Sequence, residues 1–316
     1  MRPPTRPPSL ASTSRPSSSG WAGTLAPCPL RRAAPHPQPR RPTPPRRRGL
    51  APPGRCAALP APTPPGPPLG PLGPLAPGQA LIPSTCQAET YDALAARAVA
   101  LAGRTAGRVV IALAGGPGSG KSTAAAGVAV RVCAALPPGP GAPPGAASAV
   151  VLPMDGFHYT RAQLDAFPDP AAAHARRGAP WTFDARAFAA AVTAAALPGA
   201  SLDAPSFDHG AGDPVAGGVA IRPWHRVVIV EGNYVLCGGE WGPVGDAAAE
   251  KWFLGCPTED AMKRVFHRQV RQGRRPGDVA RRIAENDRPN CELVNACVGR
   301  ADVVARSDLP AGRRGG

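Results

Sequence analysis

Residues 115–122 read Gly-Gly-Pro-Gly-Ser-Gly-Lys-Ser, a complete G-x-x-x-x-G-K-[ST] pattern, and they decide the fold that we expect. The apolar run at 108–114 predicts a buried strand before them, and the alanine-rich run at 122–131 predicts a helix after them. A glycine-rich loop between a strand and a helix cradles phosphate with its backbone N–H groups, at the positive end of the helix dipole. The sequence therefore predicts a loop that binds a nucleoside triphosphate.

The lysine of this loop is one of only three lysines in the chain, against 33 arginines. A compact ammonium group reaches between the β- and γ-phosphates, where a planar guanidinium would not fit. The serine that follows it has the hydroxyl that ligates Mg²⁺ in such loops. We therefore predict ATP and Mg²⁺ as cofactors, with nucleotide contacts from Gly115, Gly116, Pro117, Gly118, Ser119, Gly120, Lys121, Ser122 and Thr123.

The first 88 residues differ in composition from the rest of the chain. They contain no Asp or Glu, eleven of the arginines and 25 of the 44 prolines, so they carry most of the net charge of +15. Such a segment buries too little apolar surface to offset chain entropy, and we expect it to be disordered. The sequence therefore predicts a Pro/Arg-rich extension over residues 1–88 and one kinase-sized domain over residues 89–316.

An Arg-rich, Ser-rich and acid-free N-terminus is typical of an organelle transit peptide. Prolines at positions 3, 4, 7 and 8 forbid the amphipathic helix of a mitochondrial presequence, which favours the chloroplast over the mitochondrion or the cytoplasm. A featureless extension and a nucleic-acid-binding arm are the other interpretations. Trp21 is the only aromatic residue of the segment, and this argues against a stacking platform for nucleic acid.

Two further features restrict the partners. No run of 18 or more apolar residues predicts a membrane-spanning helix. The eight cysteines show neither a C-x-x-C pattern nor paired spacing with histidine, so we expect reduced, mostly buried thiols instead of disulfides or zinc. We expect no nucleic acid and no membrane as partner, and we leave homodimer formation open.

Apolar runs alternate with helical patterns along the rest of the chain. Strands are predicted at 149–154, 226–231, 252–256 and 301–305, and helices at 91–102, 185–196 and from residue 258 onward. This alternation predicts a three-layer α/β fold, in which helices cover both faces of a central parallel sheet. Ligands bind beyond the carboxyl ends of the strands in such sheets.

Two acidic residues stand where predicted strands end. Asp155 follows the strand at 149–154, and Glu231 closes the strand at 226–231. Phosphoryl transfer needs one acid that takes the proton of the acceptor hydroxyl and another that holds Mg²⁺ near the phosphates. We predict the first role for Asp155 and the second for Glu231 together with Ser122. The alternative for each acid is a helix cap or a turn.

An arginine-rich segment follows the predicted helix that begins near residue 258. At spacings of three to four residues, several of its arginines share one helix face. We predict a lid that closes over the γ-phosphate and excludes water, in which Arg264 and Arg268 act beside Lys121 as catalytic cations. The alternative is a solvated basic helix. The arginines of this segment are Arg264, Arg268, Arg271, Arg274, Arg275, Arg281 and Arg282.

With these residues in place, the chain resembles the phosphoribulokinase/uridine kinase superfamily of P-loop kinases over roughly residues 89–308. It is similar within that superfamily to the nucleoside/nucleotide kinase-like branch of ATP-dependent kinases, and also to bacterial pantothenate kinase. The resemblance rests on an ordered series of segments at 154–158, 176–184, 205–209, 231–234 and 286–290.

The resemblance implies a kinase that transfers the γ-phosphate of ATP to a hydroxyl group of a small metabolite. Uridine kinases carry a Tyr-Asp-Phe clamp where positions 207–209 of this chain read Phe-Asp-His, so the acceptor stays open. A uridine or nucleoside kinase proper and a catalytically silent ATP-binding regulatory protein are the alternatives.

The resemblance also implies roles for single residues. It places Asn290 and the pair at 301–302 near the adenine, and four polar residues in the acceptor pocket. A locally bonded turn is the alternative for Asp208 and His209, and packing in the pocket wall is the alternative for His158. The four residues are His158, Asp184, Asp208 and His209.

Overall fold

Short strands alternate with helices in the computed structural model, which describes residues 75–309. The strands are β1 (Ala80–Leu81), β2 (Val109–Ala114), β3 (Ala149–Pro153), β4 (Leu202–Asp208), β5 (Asp213–Ile221), β6 (Val227–Gly232), β7 (Glu250–Gly255) and β8 (Val303–Arg306). The helices are α1 (Gln87–Arg104), α2 (Lys121–Ala135), α3 (Arg161–Leu164), α4 (Pro170–Ala175), α5 (Ala185–Ala196), α6 (Gly242–Ala247), α7 (Thr258–Arg271), α8 (Pro276–Arg282) and α9 (Arg288–Asn295).

Six of these strands form one parallel sheet in the order β1-β8-β7-β2-β6-β3. The central strand β2 is buried along its whole length, as its unbroken apolar run predicts. Its residue Leu113 pairs with Trp252 on one side and with Glu231 on the other. Because neighbouring parallel strands end at the same edge, the loop after β2 and the acids after β3 and β6 meet there.

Helices cover both faces of this sheet. Helices α1 and α2 pack on one face, where Leu94 and Val128 are fully buried. Helices α5 and α6 pack on the other face, where Phe188 and Val244 are fully buried. The predicted three-layer α/β fold is confirmed. None of the helices within residues 75–309 is both long and apolar enough to cross a membrane.

The folded region begins earlier than residue 89, where composition placed the boundary. Ala80 donates its N–H to the carbonyl of Asp302 at 2.9 Å, Ile82 donates to Val304 at 2.9 Å, and α1 already starts at Gln87. The edge strand β1 has two residues and is held by backbone hydrogen bonds. It is too short to show an alternating pattern of apolar side chains in the sequence. The remaining part of the predicted extension, with the transit peptide, lies outside the described residues.

Strands β4 and β5 form an antiparallel hairpin outside the main sheet, which the sequence analysis missed. Pro205 interrupts the alternation of β4, and β5 has a run of exposed small residues, so neither strand shows a clear period of two. The hairpin packs on a 3₁₀ turn at Met154–Phe157. A Cβ atom on Gly156 would lie 2.1 Å from the Pro205 carbonyl oxygen, so only glycine permits this close approach.

We expect Gly156→Ala to lower the free energy of unfolding by about 1–3 kcal/mol, because the added methyl group meets backbone atoms that cannot rotate away. Chemical denaturation measures the change. Gly103→Ala in α1 is the control, since no atom lies within 4 Å of the Cβ position there and alanine favours a helix. Equal unfolding midpoints for the two variants would contradict the proposed packing.

Candidate active site

The loop between β2 and α2 has the backbone that a phosphate cradle requires. Gly118 (φ 82°) and Gly120 (φ 85°) both adopt the left-handed conformation, which favours glycine. Helix α2 begins directly at Lys121 with Gly120 as its N-cap. The unpaired N–H groups of the first helical turn therefore lie at the loop, beside the lysine ammonium group.

Two helices press against this loop from outside the sheet. A Cβ atom on Gly118 would lie 2.2 Å from the carbonyl oxygen of Ala261 in α7. A Cβ atom on Gly116 would lie 2.7 Å from the Sγ atom of Cys291 in α9. The packing of α7 and α9 therefore favours glycine at both positions, and the positive φ of Gly118 adds a conformational reason there.

Glu231 is the buried acid of the site. It lies at the carboxyl end of β6, between Leu113 of β2 and Pro153 of β3, and it is 5% exposed. Burial raises the pKa of its carboxyl group, and the negative charge of Asp155 raises the pKa further. The positive charge of Lys121 and a hydrogen bond with Ser122 oppose this shift. The predicted residues Lys121, Ser122 and Asp155 thus all lie close enough to Glu231 to affect its pKa.

Several buried oxygen atoms at this edge lack a protein partner. The Oγ atom of Ser119, the Oε2 atom of Glu231 and the Oδ1 atom of Asn233 have no hydrogen bond within the described chain. No cluster of three or more His, Cys, Asp or Glu side chains that could hold a metal occurs in residues 75–309. These residues fit a Mg²⁺ ion held mainly by phosphate oxygens and waters, with Ser122 and Glu231 as the protein ligands.

Asp155 lies in the 3₁₀ turn that follows β3, half-buried and next to His158. Its carbonyl oxygen accepts a hydrogen bond from the His158 backbone N–H at 3.2 Å and lies 2.8 Å from His158 Nδ1. Because a carbonyl only accepts, Nδ1 carries the proton in this contact. Burial lowers the pKa of His158, and the Asp155 charge opposes the shift. The neutral imidazole therefore keeps Nε2 as a hydrogen-bond acceptor.

The hairpin and the 3₁₀ turn form an aromatic cluster around His158. The His158 ring lies 3.9 Å from Phe183 and 4.8 Å from Phe207, measured between centroids. His209 contacts Phe207 at 5.2 Å, and the Arg177 guanidinium lies 5.6 Å from the Phe207 centroid. The structure thus brings the predicted pocket residues His158 and His209 to one cluster beside Asp155.

Two predicted pocket acids have local structural roles instead. Asp184 is the N-cap of α5 and accepts a hydrogen bond from the Ala187 N–H at 2.8 Å. Asp208 accepts hydrogen bonds from the N–H groups of Gly210 at 2.7 Å and Ala211 at 3.2 Å, and so closes the hairpin turn. The locally bonded turn that was the alternative for Asp208 is present, and Asp184 has a capping role that the sequence did not indicate.

The residues predicted near the adenine are also engaged within the protein. Asn290 is buried and donates to the Gly178 carbonyl at 3.2 Å and to Asn286 Oδ1 at 3.3 Å, which uses both of its N–H groups. Asp302 accepts from the Lys251 N–H at 2.8 Å, just before β8 begins. It lies at the amino edge of the sheet, opposite the phosphate loop, so the structure corrects its placement near the nucleotide.

The predicted lid divides into two parts. Arg264 donates to the Ser307 carbonyl at 2.7 Å and ties α7 to the segment after β8, so it is a structural residue and not a cation poised over the phosphates. The other arginines of the segment follow Arg264 along the chain, on α7, on α8 and in the link between them. Gly273 (φ 87°) lies in this link and separates the two helices. Arg275 and Arg281 pair with Asp278 on the exposed surface, as the solvated-helix alternative predicts.

The inner side of this segment carries a group of arginines around one buried acid. Burial raises the pKa of Asp287, and the charges of Arg282, Arg268 and Arg274 oppose the shift. Burial lowers the pKa of Arg282, and the negative charge of Asp287 opposes this shift. The positive charges of Arg274 and Arg177 lower the pKa further. Positive charge is therefore in excess here, and Arg268 belongs to this group as a candidate cation.

Arg177 is a candidate binding residue that the sequence analysis missed. It pairs with Asp213 at 2.8 Å, donates to the Tyr159 carbonyl at 2.9 Å, and accepts from Arg282 at 3.0 Å through its own carbonyl. Its Nε atom is buried without a partner in the described chain. Its position in the segment at 176–184 was the one indication of this role in the sequence. The residues with which it forms these hydrogen bonds lie 18 to 105 positions away along the chain, so sequence patterns do not reveal them.

The known proteins that this chain resembles carry kinase names. No protein-family model matches the chain. A provisionally named uridine kinase of Schizosaccharomyces pombe is 38% identical over 219 residues, which are 68% of this chain and 89% of that protein. An ATP-dependent kinase-like protein of Aspergillus versicolor is 43% identical over 162 residues, 50% of this chain and 90% of its own.

A solved structure agrees with these sequence relatives. It is the crystal structure of a provisionally named fructose transport system kinase from Silicibacter sp. TM1040, with 31% sequence identity and a TM-score of 0.58. The match covers 68% of this chain and 98% of that chain. The sequence relatives and the fold neighbour therefore carry kinase names.

We expect Glu231→Gln to raise the melting temperature of the nucleotide-free protein at pH 7. A carboxyl group whose pKa is raised on folding stabilises the folded state while it is protonated, and this stability is lost as the pH rises through the raised pKa. The glutamine is neutral at every pH, so the gain should vanish as the pH falls to the ordinary Glu pKa near 4.5.

Thermal unfolding between pH 4 and pH 8 measures this difference, at about 2–4 °C for each kcal/mol recovered. Glu285→Gln, at an exposed position, serves as the control. A melting temperature of Glu231→Gln that stays below that of the wild type at pH 7 would contradict the assigned burial cost.

Proposed function

Since this chain belongs to the phosphoribulokinase/uridine kinase superfamily of P-loop kinases, we propose that it transfers the γ-phosphate of ATP to a hydroxyl group of a small metabolite. The convergence of Lys121, Ser122, Asp155 and Glu231 at one sheet edge carries the proposal. A protein that only binds ATP needs the phosphate loop, but it does not need two further carboxylates beside it. This arrangement favours transfer over a silent regulatory role.

The phosphate loop and α2 bind the triphosphate of ATP. The loop N–H groups and the helix N-terminus surround the β-phosphate, and Lys121 contributes its charge to the β- and γ-phosphates. Mg²⁺, when it is bound through Ser122 and Glu231, neutralises charge on these phosphates. The low exposure of Glu231 strengthens its attraction for a cation, because few waters screen the charge.

Asp155 is the group that takes the acceptor's proton. Its carboxylate is half-buried, whereas that of Glu231 is buried, so an acceptor hydroxyl can reach Asp155. The negative charge of Glu231 lies close enough to interact with Asp155. A carboxylate at this position can accept the proton of the hydroxyl as the phosphoryl group arrives.

The acceptor lies against the aromatic cluster around His158. Neutral His158 offers Nε2 as an acceptor for a substrate hydroxyl, and the rings of Phe183 and Phe207 suit an apolar or planar face. Arg177, with its unpartnered buried Nε, adds a donor next to these rings. The binding surface therefore suits a small molecule that carries hydroxyl groups and one flat or apolar side.

A nucleoside is the second candidate acceptor. The rings clustered around His158 can receive a nucleobase, and the relative from S. pombe carries a uridine kinase name. The experiment that tests both acceptors uses the full chain, ATP labelled in the γ-phosphate and Mg²⁺. A metabolite extract and a nucleoside panel with uridine are incubated separately, and the labelled product is identified by mass spectrometry. ATP binding without any labelled product would overturn the transfer proposal.

We expect Asp155→Asn to lower kcat by about 10²–10⁴-fold, because an amide cannot take the hydroxyl proton. Binding of ATP, measured by calorimetry, should stay within a few-fold of the wild type. Asp246→Asn, at an exposed position on α6, is the matched control. Unchanged turnover in Asp155→Asn would remove this residue from the role of base.

We expect Lys121→Ala to weaken ATP binding and to abolish the rise in melting temperature that saturating ATP causes in the wild type, because the triphosphate loses its ammonium partner. A thermal-shift titration with ATP and Mg²⁺ measures this. Lys263→Ala is the control, since Lys263 is exposed and pairs with Asp260 at 3.1 Å on the surface of α7. An equal ATP-dependent shift in both variants would contradict the role of Lys121.

A further inference from the structure

Two cysteines that are far apart in sequence lie side by side in the fold. The Sγ atoms of Cys237 and Cys297 are 2.6 Å apart, although sixty residues separate them. Cys237 ends the turn that follows β6, where its N–H donates to the Tyr234 carbonyl at 2.8 Å. Cys297 follows the end of α9, and both side chains are half-buried free thiols. Sequence spacing could not reveal this pair.

We propose that Cys237 and Cys297 form a reversible dithiol–disulfide site, which is separate from the phosphate-binding loop. A disulfide bond is about 2.05 Å long, so the two sulfur atoms need to approach by only about 0.6 Å. The reduced thiols that the sequence analysis expected are one state of this site, and the disulfide is the other.

The surroundings give the two sulfur atoms different roles. The hydrogen bond from Cys237 lowers the pKa of Cys297, and the charge of Arg300 acts in the same direction. The same hydrogen bond and burial raise the pKa of Cys237. Cys297 is therefore the readier thiolate of the pair, and Cys237 is the thiol that a small molecule in the adjoining cavity can reach.

A cavity of about 470 Å³ reaches this pair at Cys237, and the second cysteine of the pair lies next to Cys237 without lining the cavity. Cys237 and Arg300 line it, together with Lys251 and Asp302. The Asp302 carboxylate lies 3.6 Å from Lys251 Nζ, so these two charges offset each other, and Arg300 is the cation beside the thiols. Asp246 also lines the cavity, so the two acids of the cavity balance its two cations, and we take glutathione disulfide as the low-molecular-weight disulfide that reaches Cys237 there.

The oxidation proceeds as two balanced exchanges with that disulfide. Cys237, which lines the cavity, gives its proton to the solvent, attacks one sulfur of the small disulfide, forms a mixed disulfide and releases one small thiolate. The neighbouring Cys297 thiolate then attacks the Cys237 sulfur and releases the second small thiolate. The protein loses two electrons to the small disulfide, and an excess of the small thiol reverses both steps.

The disulfide joins two segments that already converge on the candidate active site. At their other ends, the Tyr234 hydroxyl donates to the Gly178 carbonyl at 2.7 Å and Asn290 donates to the same oxygen at 3.2 Å. Because the two segments are already held together in the reduced fold, the bond needs little rearrangement. It closes a loop of sixty residues and should stabilise the folded state mainly by restricting the unfolded chain.

Peptide mapping of the full-length protein tests the proposal. The protein is equilibrated in buffers of increasing glutathione disulfide to glutathione ratio, alkylated, digested without reductant and analysed by mass spectrometry. We expect a peptide that joins Cys237 to Cys297, lost on reduction, and a melting temperature about 10 °C higher in the oxidised protein. Full alkylation of both cysteines at every ratio would overturn the proposal.

Two variants make the assignment specific. Cys297→Ser should lose both the cross-linked peptide and the rise in melting temperature. Cys133→Ser is the matched control, since Cys133 is also half-buried, on α2, and the variant should keep both effects. A rise in Cys297→Ser equal to that of the wild type would assign the effect to other cysteines and overturn the proposal. Should Cys297→Ser not fold, the mapping of the wild-type protein decides alone.

Discussion

Burial of a carboxylate at the carboxyl edge of the sheet is the constraint around which this site is built. Glu231 lies between two other strands and is 5% exposed, with one oxygen unpaired. An ionised group in such a place needs positive charge nearby. Lys121 of the phosphate loop supplies part of it, and under the proposed function a nucleotide and its Mg²⁺ supply the rest. The parallel register of β2 with β6 fixes this arrangement, since it sets Leu113 opposite Glu231.

The phosphate loop is also tied to the helices that carry the arginines. Ala261 of α7 touches the loop at Gly118, and Cys291 of α9 touches it at Gly116. The arginine group lies on the chain between these two contacts, since α8 and the π-helix at Ile283–Asp287 connect α7 to α9. Nucleotide in the loop therefore acts on both ends of the arginine-rich segment through direct packing.

The sequence was most informative where signals are local. The apolar runs predicted the five longer strands of the sheet, and the helix at 185–196 matches α5 residue for residue. Contacts between distant residues left no such signal. Arg264 is held by Ser307, 43 residues away, and Cys237 by Cys297, sixty residues away. Asp184 misled for a different reason, because a capping aspartate and a ligand-binding aspartate look alike in sequence.

Charge explains why the arginine-rich segment should close only over a ligand. Burial lowers the pKa of Arg282, Asp287 opposes this shift, and the charges of Arg274 and Arg177 add to it. Drawing these cations closer to the loop raises their mutual repulsion unless an anion lies between them. Under the proposed function, a triphosphate in the loop supplies that anion and brings the cation for Glu231. Closure of the proposed lid is then expected to follow the binding of the ligand.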